Sequence, residues 1–240
     1  MPDGPRQVPD VVARIAAGRP ITAVWDNEVG GVTFQIGHGP GREFVKVAPP
    51  HPAVDLHLEA DKLGWAASYV TVPRVLGVGR DGAVGWLHTA GLPGTTAVHP
   101  RWIANPRPAV RAIATGLRAL HDQLPVDRCP YSWSADNRLA GLPASARGEL
   151  AEPPPVDRLV VCHGDACAPN TLLDEDARWS GHVDFGALGV ADRWADLAVA
   201  AWSLLYNYGD DWSAEFFAAY GVPPDPGRID YYLRLWDAEG

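Results

Sequence analysis

The segment Cys162-His-Gly-Asp165-Ala-Cys-Ala-Pro-Asn170 and the turn Val183-Asp184-Phe-Gly186 that follows it hold the densest chemistry in the sequence. An Asp-x4-Asn pair with an Asp-Phe-Gly shortly afterwards suits metal-assisted phosphoryl transfer. One carboxylate meets the attacking hydroxyl, while an amide oxygen and a second carboxylate hold Mg2+ on the phosphates. Each of these residues is also ordinary turn chemistry, and singly each reads as a loop residue. It is the set, placed after the apolar run Leu159-Val-Val-Cys162, that points to function.

A second pair must agree with the first. Glu59 falls three residues after Leu56 and four before Leu63, on or beside the apolar stripe of a helix. A carboxylate there is costly unless paired, and Lys46, on the preceding strand, is the natural partner. In phosphoryl transfer such a lysine contacts the phosphates and the glutamate holds it. The plainer alternative is that Glu59 rims the core while Lys46 extends to solvent. Among the 20 basic residues only Lys46 and Lys62 are lysine. In a chain so biased towards arginine, a retained lysine hints at a need for that side chain.

The elements that must position these groups follow from periodicity. Residues 20–47 read as strand, turn, strand, with Gly31-Val-Thr-Phe-Gln-Ile36 and Glu43-Phe-Val-Lys-Val47 alternating about the tip Gly37-His-Gly-Pro-Gly41. A helix over about 54–67 carries Leu56, Ala60, Leu63 and Ala67 on one stripe. Short strands at 74–79 and 83–88 join at Asp81-Gly82, and Gly91-Leu-Pro-Gly94 breaks the pattern. Downstream the pattern is mainly helical. Helices run through Val110 to His121, through Trp194 to Leu205 and through Ile229 to Trp236. A strand at 159–162 and a hairpin-like pair at 171–173 and 179–183 frame the polar loop, and 140–158 reads as a short helix plus a proline-rich linker.

Composition bounds the function. The chain has 240 residues, 47% of them hydrophobic, enough for a sizeable core without disulfide or metal staples. Gly 25 and Pro 23 together make a fifth of the chain, which predicts short elements and many sharp turns. A formal net charge of -9 argues against a nucleic-acid partner and weakly favours a cationic one. The apolar stretch 187–208 is interrupted by Asp192, Arg193 and Asp196, so it does not read as a membrane span. Cys129, Cys162 and Cys167 are odd in number and form no CxxC pair, which reads as structural thiols in a reducing cytoplasm. No signal peptide is expected from the opening residues, and oligomeric state is not legible.

At this point the sequence resembles the aminoglycoside phosphotransferase family, within the wider protein-kinase-like fold, and is most similar to the 3′-phosphotransferases that inactivate kanamycin and neomycin. The stretch His163-Gly-Asp-Ala-Cys-Ala-Pro-Asn170 through Ser180-Gly-His-Val-Asp-Phe-Gly186 to Leu188-Gly-Val-Ala-Asp-Arg-Trp-Ala-Asp-Leu-Ala198 carries the likeness. Phe44-Val-Lys46, Glu59, Pro73, Leu92-Pro-Gly94, Leu117-Arg-Ala-Leu-His121, Cys129-Pro130 and Arg228-Ile-Asp-Tyr-Tyr232 fall in register with it.

The resemblance implies an α+β, two-lobed kinase-like fold, with a small antiparallel nucleotide-binding lobe over 1–91 and a helical catalytic and acceptor-binding lobe over 92–240. It implies Asp165 as the catalytic aspartate, Asn170 and Asp184 as Mg2+ ligands, and Lys46 with Glu59 at the phosphates of ATP. Glu28, Gly30, Gly31 and Thr33 fall in the loop over the phosphates. Leu87, Thr89 and Gly91 belong to the lobe connection, whose backbone meets adenine. Asp165, Asp210, Asp211, Asp237 and Glu239 are the carboxylates expected around a polycationic, aminoglycoside-like acceptor.

The departures gather on the acceptor side. Ala187 and Trp202 stand where the family has arginines, Tyr206 and Asn207 where it has acidic residues, and 138–158 is shorter than its helical insert. On the nucleotide side, Glu28 replaces a serine. The expected function is ATP- and Mg2+-dependent phosphorylation of a hydroxyl, most like an aminoglycoside 3′-phosphotransferase. The alternatives are a kinase for another hydroxylated molecule and a nucleotide-binding protein with little transfer activity.

Overall fold

A computed structural model describes residues 7–27, 29–52 and 54–239. The chain divides into two compact units, residues 1–92 and 93–240. The Leu92 carbonyl accepts a hydrogen bond from Arg42 of the same unit.

The first unit opens with α1 (Asp10–Ala16), β1 (Ile21–Asp26), β2 (Val32–Ile36) and β3 (Glu43–Ala48). It continues with α2 (Leu56–Ala66), β4 (Val75–Asp81) and β5 (Val84–Ala90). The five strands form one antiparallel sheet in the order β1-β2-β3-β5-β4. Val11, Val12 and Ala16 of α1 pack on Phe34, Ile36, Val45 and Val47. Fully burying an aliphatic or aromatic side chain of this size contributes about 1.5–3 kcal/mol, so this short helix is held by its contacts rather than by its length. Helix α2 begins at Leu56 because Asp55 caps it, its Oδ1 accepting from the N–H groups of His57 and Leu58 at 3.0 Å each.

The second unit contains β6 (Thr95–Thr96), α3 (Pro100–Ile103), α4 (Pro106–Gln123), α5 (Ala135–Gly141) and α6 (Ala144–Gly148). These lead to β7 (Leu159–Cys162), β8 (Thr171–Leu173), β9 (Trp179–His182) and β10 (Gly189–Asp192), then α7 (Trp194–Tyr208), α8 (Ser213–Tyr220) and α9 (Pro226–Asp237). The proline-rich 140–158 therefore holds a second short helix ahead of its linker. The apolar stretch 187–208 is not one helix. Its first part pairs as β10 with β7, and Asp192 then accepts from the Trp194 N–H at 3.2 Å where α7 starts. The hairpin of β8 and β9 is present, with Thr171 opposite His182, and β6 adds a third strand to it. Helix α4 buries Val110, Ile113, Leu117 and Leu120. The three cysteines are free thiols. Among the described residues no helix is long and apolar enough to cross a membrane.

His182 is buried where β9 meets α4, with its ring centroid 5.5 Å from that of His163 and 5.4 Å from that of Trp179. Burial holds its imidazole neutral, with a pKa lowered to about 3. Below the ordinary value near 6.5 the unfolded chain takes up a proton that the folded chain refuses, so the stability tied to this ring falls as pH drops from 6.5 towards 3. Going from pH 7 to pH 5 should lower the unfolding free energy by about 2 kcal/mol through this group. Urea unfolding of wild type and His182→Gln at both pH values checks this: the variant should lose that part of the pH dependence.

Candidate active site

Strand register in the first unit assembles one group of the expected residues. Thr33 of β2 lies opposite Lys46 of β3, and Lys46 lies opposite Leu87 of β5, so three adjacent strands carry them side by side. The Lys46 Nζ donates to both carboxylate oxygens of Glu59 at 2.9 Å. Glu59 is buried on α2, so the ammonium neutralises a charge that would otherwise be desolvated without a partner. Gly30 and Gly31 close the β1–β2 turn. Asn27 N–H donates to the Gly31 carbonyl at 2.9 Å, and the Asn27 side chain accepts from Gly31 N–H. Glu28, expected in the same loop, lies outside the described residues. Thr89 sits in mid-sheet opposite Phe44 and Val75. The Gly91 N–H donates to the Arg42 carbonyl and the Ala90 N–H to that of Arg74, each at 2.9 Å. Those two groups are therefore not free donors for adenine.

In the second unit the polar loop leaves β7 at Cys162 and returns to β8 through a single 3-10 turn at Ala168–Asn170. The amide nitrogen of Asn170 donates to the Asp165 carbonyl at 3.0 Å and to Asp165 Oδ2 at 2.9 Å. Asp165 Oδ1 is buried without a hydrogen-bond partner. Burial raises the Asp165 carboxyl above its ordinary range, and the negative charge of Asp184 pushes the same way. Asp184 lies two residues beyond β9 and holds φ at 67°, a left-handed conformation that aspartate tolerates better than most residues. With its nitrogen turned to Asp165, Asn170 has its amide oxygen left for a cation. Asn170 and Asp184 thus offer oxygen donors beside the negative charge of Asp165. That donor set fits a hard divalent cation such as Mg2+.

The loop is pinned from beneath by residues that the sequence reading did not place in the site. Asp196 of α7, fully buried, accepts from the backbone N–H groups of His163 at 2.6 Å and Gly164 at 2.9 Å. Its Oδ2 also accepts from His121 Nε2, whose Nδ1 in turn accepts from the Tyr220 hydroxyl at 2.8 Å. Burial alone would raise the Asp196 carboxyl, but the hydrogen bonds from His121 and the loop outweigh it and hold it below the usual range. His163 braces the upper side: Nδ1 accepts from the Asp165 N–H at 3.2 Å and Nε2–H donates to the Val183 carbonyl at 2.9 Å. One imidazole therefore ties the Asp165 loop to the turn bearing Asp184, a supporting role and not that of a base. Gly164 adopts φ 85°, and a Cβ there would overlap the Ala187 carbonyl, so the two turns meet only through glycine. The available sequence signal for Asp196 was an acid inside an apolar helical run, which burial makes expensive unless paired.

The expected acceptor carboxylates are spread over separate elements. Asp210 and Asp211 are exposed between α7 and α8. Asp211 Oδ1 accepts from the Ser213 N–H at 2.9 Å, so this residue serves the start of α8. Asp237 ends α9 and is exposed. Glu239 is engaged elsewhere. Its two oxygens accept from Arg138 Nε at 2.9 Å and Nη2 at 2.7 Å, and Arg138 is buried over the ring of Trp133. Its charge is thus matched within the chain rather than left open to a cation.

Comparison with known proteins places the chain in a family. The model of the phosphotransferase enzyme family matches residues 19–232. An aminoglycoside 3′-phosphotransferase of Streptomyces fradiae is 36% identical, over 89% of this chain and 92% of its own length. The crystal structure of an aminoglycoside-3′-phosphotransferase of type VIII is 30% identical with a TM-score of 0.80, covering 95% of this chain and 97% of that one. The aminoglycoside phosphotransferase APH(3″)-Id of Streptomyces rimosus, solved with ADP and streptomycin, is 26% identical with a TM-score of 0.73, covering 97% of this chain and all of the other. The fold is accordingly α+β and kinase-like, and the chain belongs to the phosphotransferase enzyme family.

Proposed function

We propose that this chain transfers the γ-phosphoryl group of ATP, with Mg2+, to a hydroxyl of a small polycationic acceptor, an aminoglycoside at its 3′ position. The observation that carries this reading is the state of Asp165: one carboxylate oxygen is held by Asn170 and the other is buried and unpartnered, on a loop fixed by Asp196. The acceptors named for the relatives support the substrate class.

In this reading Asp165 Oδ1 takes the hydrogen bond of the acceptor hydroxyl and aligns its oxygen with the γ-phosphorus. The proton passes to that carboxylate as the new P–O bond forms and the bond to the departing ADP oxygen breaks. Burial raises the proton affinity of Asp165, which suits this role. Asn170 and Asp184 would hold Mg2+, which when bound neutralises charge on the phosphate oxygens. Lys46, held by Glu59, supplies a fixed cation to the same phosphates. Most of the acceleration then comes from positioning and preset charge.

Four outcomes are expected. Asp165→Asn should lower kcat by at least about 10²–10⁴-fold while leaving nucleotide affinity within a few-fold, measured by steady-state kinetics and calorimetry. Retention of more than a tenth of wild-type turnover would remove Asp165 from this role. Asp184→Asn keeps a residue suited to the left-handed backbone but removes a charge, and should weaken binding of Mg2+ and a non-hydrolysable ATP analogue more than Asn170→Ala does; equal binding by both variants and wild type would reject the metal assignment. Lys46→Met should lower kcat/KM, and because it removes the ammonium that neutralises the buried Glu59 it should also lower the melting temperature; adding Glu59→Gln should recover stability without recovering rate. Finally, kanamycin and neomycin should be phosphorylated and an aminoglycoside without a 3′-hydroxyl should not. Equal transfer to all three would exclude the 3′ position, and transfer to none would leave a kinase for a different hydroxylated molecule.

A further inference from the structure

A cavity of about 380 Å3 opens on the second unit, between the first half of α4 and the turn that joins β8 to β9. Small-molecule sites run from about 300 to 1,000 Å3, so it is large enough to hold one. Arg107 and Arg111 line it from α4, and Asp176, Arg178 and Trp179 from the hairpin, so its charged lining is three cations to one acid. In a chain of formal net charge -9 that is a local reversal of sign.

The arginines are only partly matched within the chain. Arg107 Nη1 donates to Glu215 Oε2 at 2.8 Å, and Arg111 Nε donates to Oε1 of the same residue. One carboxylate thus serves two guanidiniums, both more than half exposed, and a guanidinium carries more N–H donors than one carboxylate can take. Arg178 meets Asp176 at 3.4 Å with both side chains largely exposed, a contact that holds the guanidinium weakly. Arg107 is the second residue of α4, which has no side-chain cap, so the positive end of the helix adds to the same sign. Trp179 supplies an aromatic wall. Its indole lies over Gly116 of α4, where a Cβ would overlap it, and its ring centroid is 5.4 Å from that of His182. Its Nε1 is buried without an acceptor. Held on two sides, the wall is in place before a ligand arrives, which lowers the ordering cost of binding.

We infer that this cavity binds a small organic oxyanion, a phosphate monoester whose charged end lies among Arg107, Arg111 and Arg178 and whose flat apolar body rests against Trp179 and Ala112. Guanidinium forks match phosphate oxygens in charge-assisted hydrogen bonds. A phosphate offers an oxygen to each of the three arginines, where a carboxylate has one too few. None of these residues belongs to the phosphotransfer machinery described above, so the site stands or falls apart from that reading.

The test is calorimetry of the full chain with phenyl phosphate as probe, in saturating Mg2+ and a non-hydrolysable ATP analogue so that the nucleotide's own phosphate contacts are filled. Wild type should bind it saturably, more tightly than inorganic phosphate, and should not bind benzyl alcohol. Arg111→Ala and Arg178→Ala should each weaken the Kd about 5- to 30-fold, and added salt should weaken it further. Arg178→Ala, at an exposed turn, should melt like wild type, which separates lost binding from a lost fold. Asp176→Asn removes the competing acid and should tighten binding, a gain that damage to the hairpin would not give. Four results overturn the inference: no saturable binding by wild type, an unchanged Kd in both arginine variants, benzyl alcohol binding as tightly as phenyl phosphate, or inorganic phosphate doing so.

Discussion

Much of the second unit depends on one buried carboxylate. Asp196 enters the core on α7 and can remain ionised there only because several donors converge on it: two backbone N–H groups of the Asp165 loop and the His121 imidazole, itself fixed by Tyr220. Desolvating an unpaired charge would cost several kcal/mol. The same requirement works in the other direction, because a loop whose first N–H groups must face Asp196 has few ways left to lie. Helices α4, α7 and α8, each supplying one member of the chain from Tyr220 to the loop, are thus tied to the geometry of Asp165 without touching it. The charge is expensive, and its expense is what makes the loop conformation singular.

The two sets of site residues solve the same problem by different means. In the first unit a buried acid is satisfied by a lysine on the neighbouring strand, and strand register does the positioning: Thr33, Lys46 and Leu87 come together because β2, β3 and β5 are in phase. In the second, the β8–β9 ladder reaches only as far as the bond from the Val183 N–H to the Asn170 carbonyl, and it does not position the reactive side chains. Asp165, Asn170 and Asp184 sit just outside strand ends, and side-chain hydrogen bonds replace the ladder, with His163 joining one turn to the other. An alternating pattern locates residues of the first kind, whereas only the spacing of polar residues hints at the second.

That difference explains what was legible beforehand. The hairpin at 171–182, the strands around Lys46 and the pairing of Lys46 with Glu59 follow from alternation, helical spacing and the cost of an isolated buried charge. Helix α1 is too short for periodicity to declare itself, and its apolar face is explained only by the sheet beneath it. Strand β10 lay hidden in an apolar run because alternation and helical spacing look alike over four residues. The bond between Tyr220 and His121 was not legible, since the two lie far apart in the sequence. Asp211 and Glu239 showed the right charge for a cation site, yet local demands, the start of α8 and the Arg138 guanidinium, already engage them.

The Arg138–Glu239 contact ties the segment after α9 to α5. Arg138 is buried on α5, over the ring of Trp133, and the carboxylate that neutralises it comes from the penultimate residue of the sequence. Removing the Glu239 carboxylate would take away little apolar surface, yet it would leave a guanidinium stranded in a weakly polar setting. The loss would fall on α5 and α9, whose packing it bridges. Docking of α9 is therefore coupled to the burial of Arg138: until Glu239 reaches the guanidinium, the second unit carries in its interior a cation without its carboxylate.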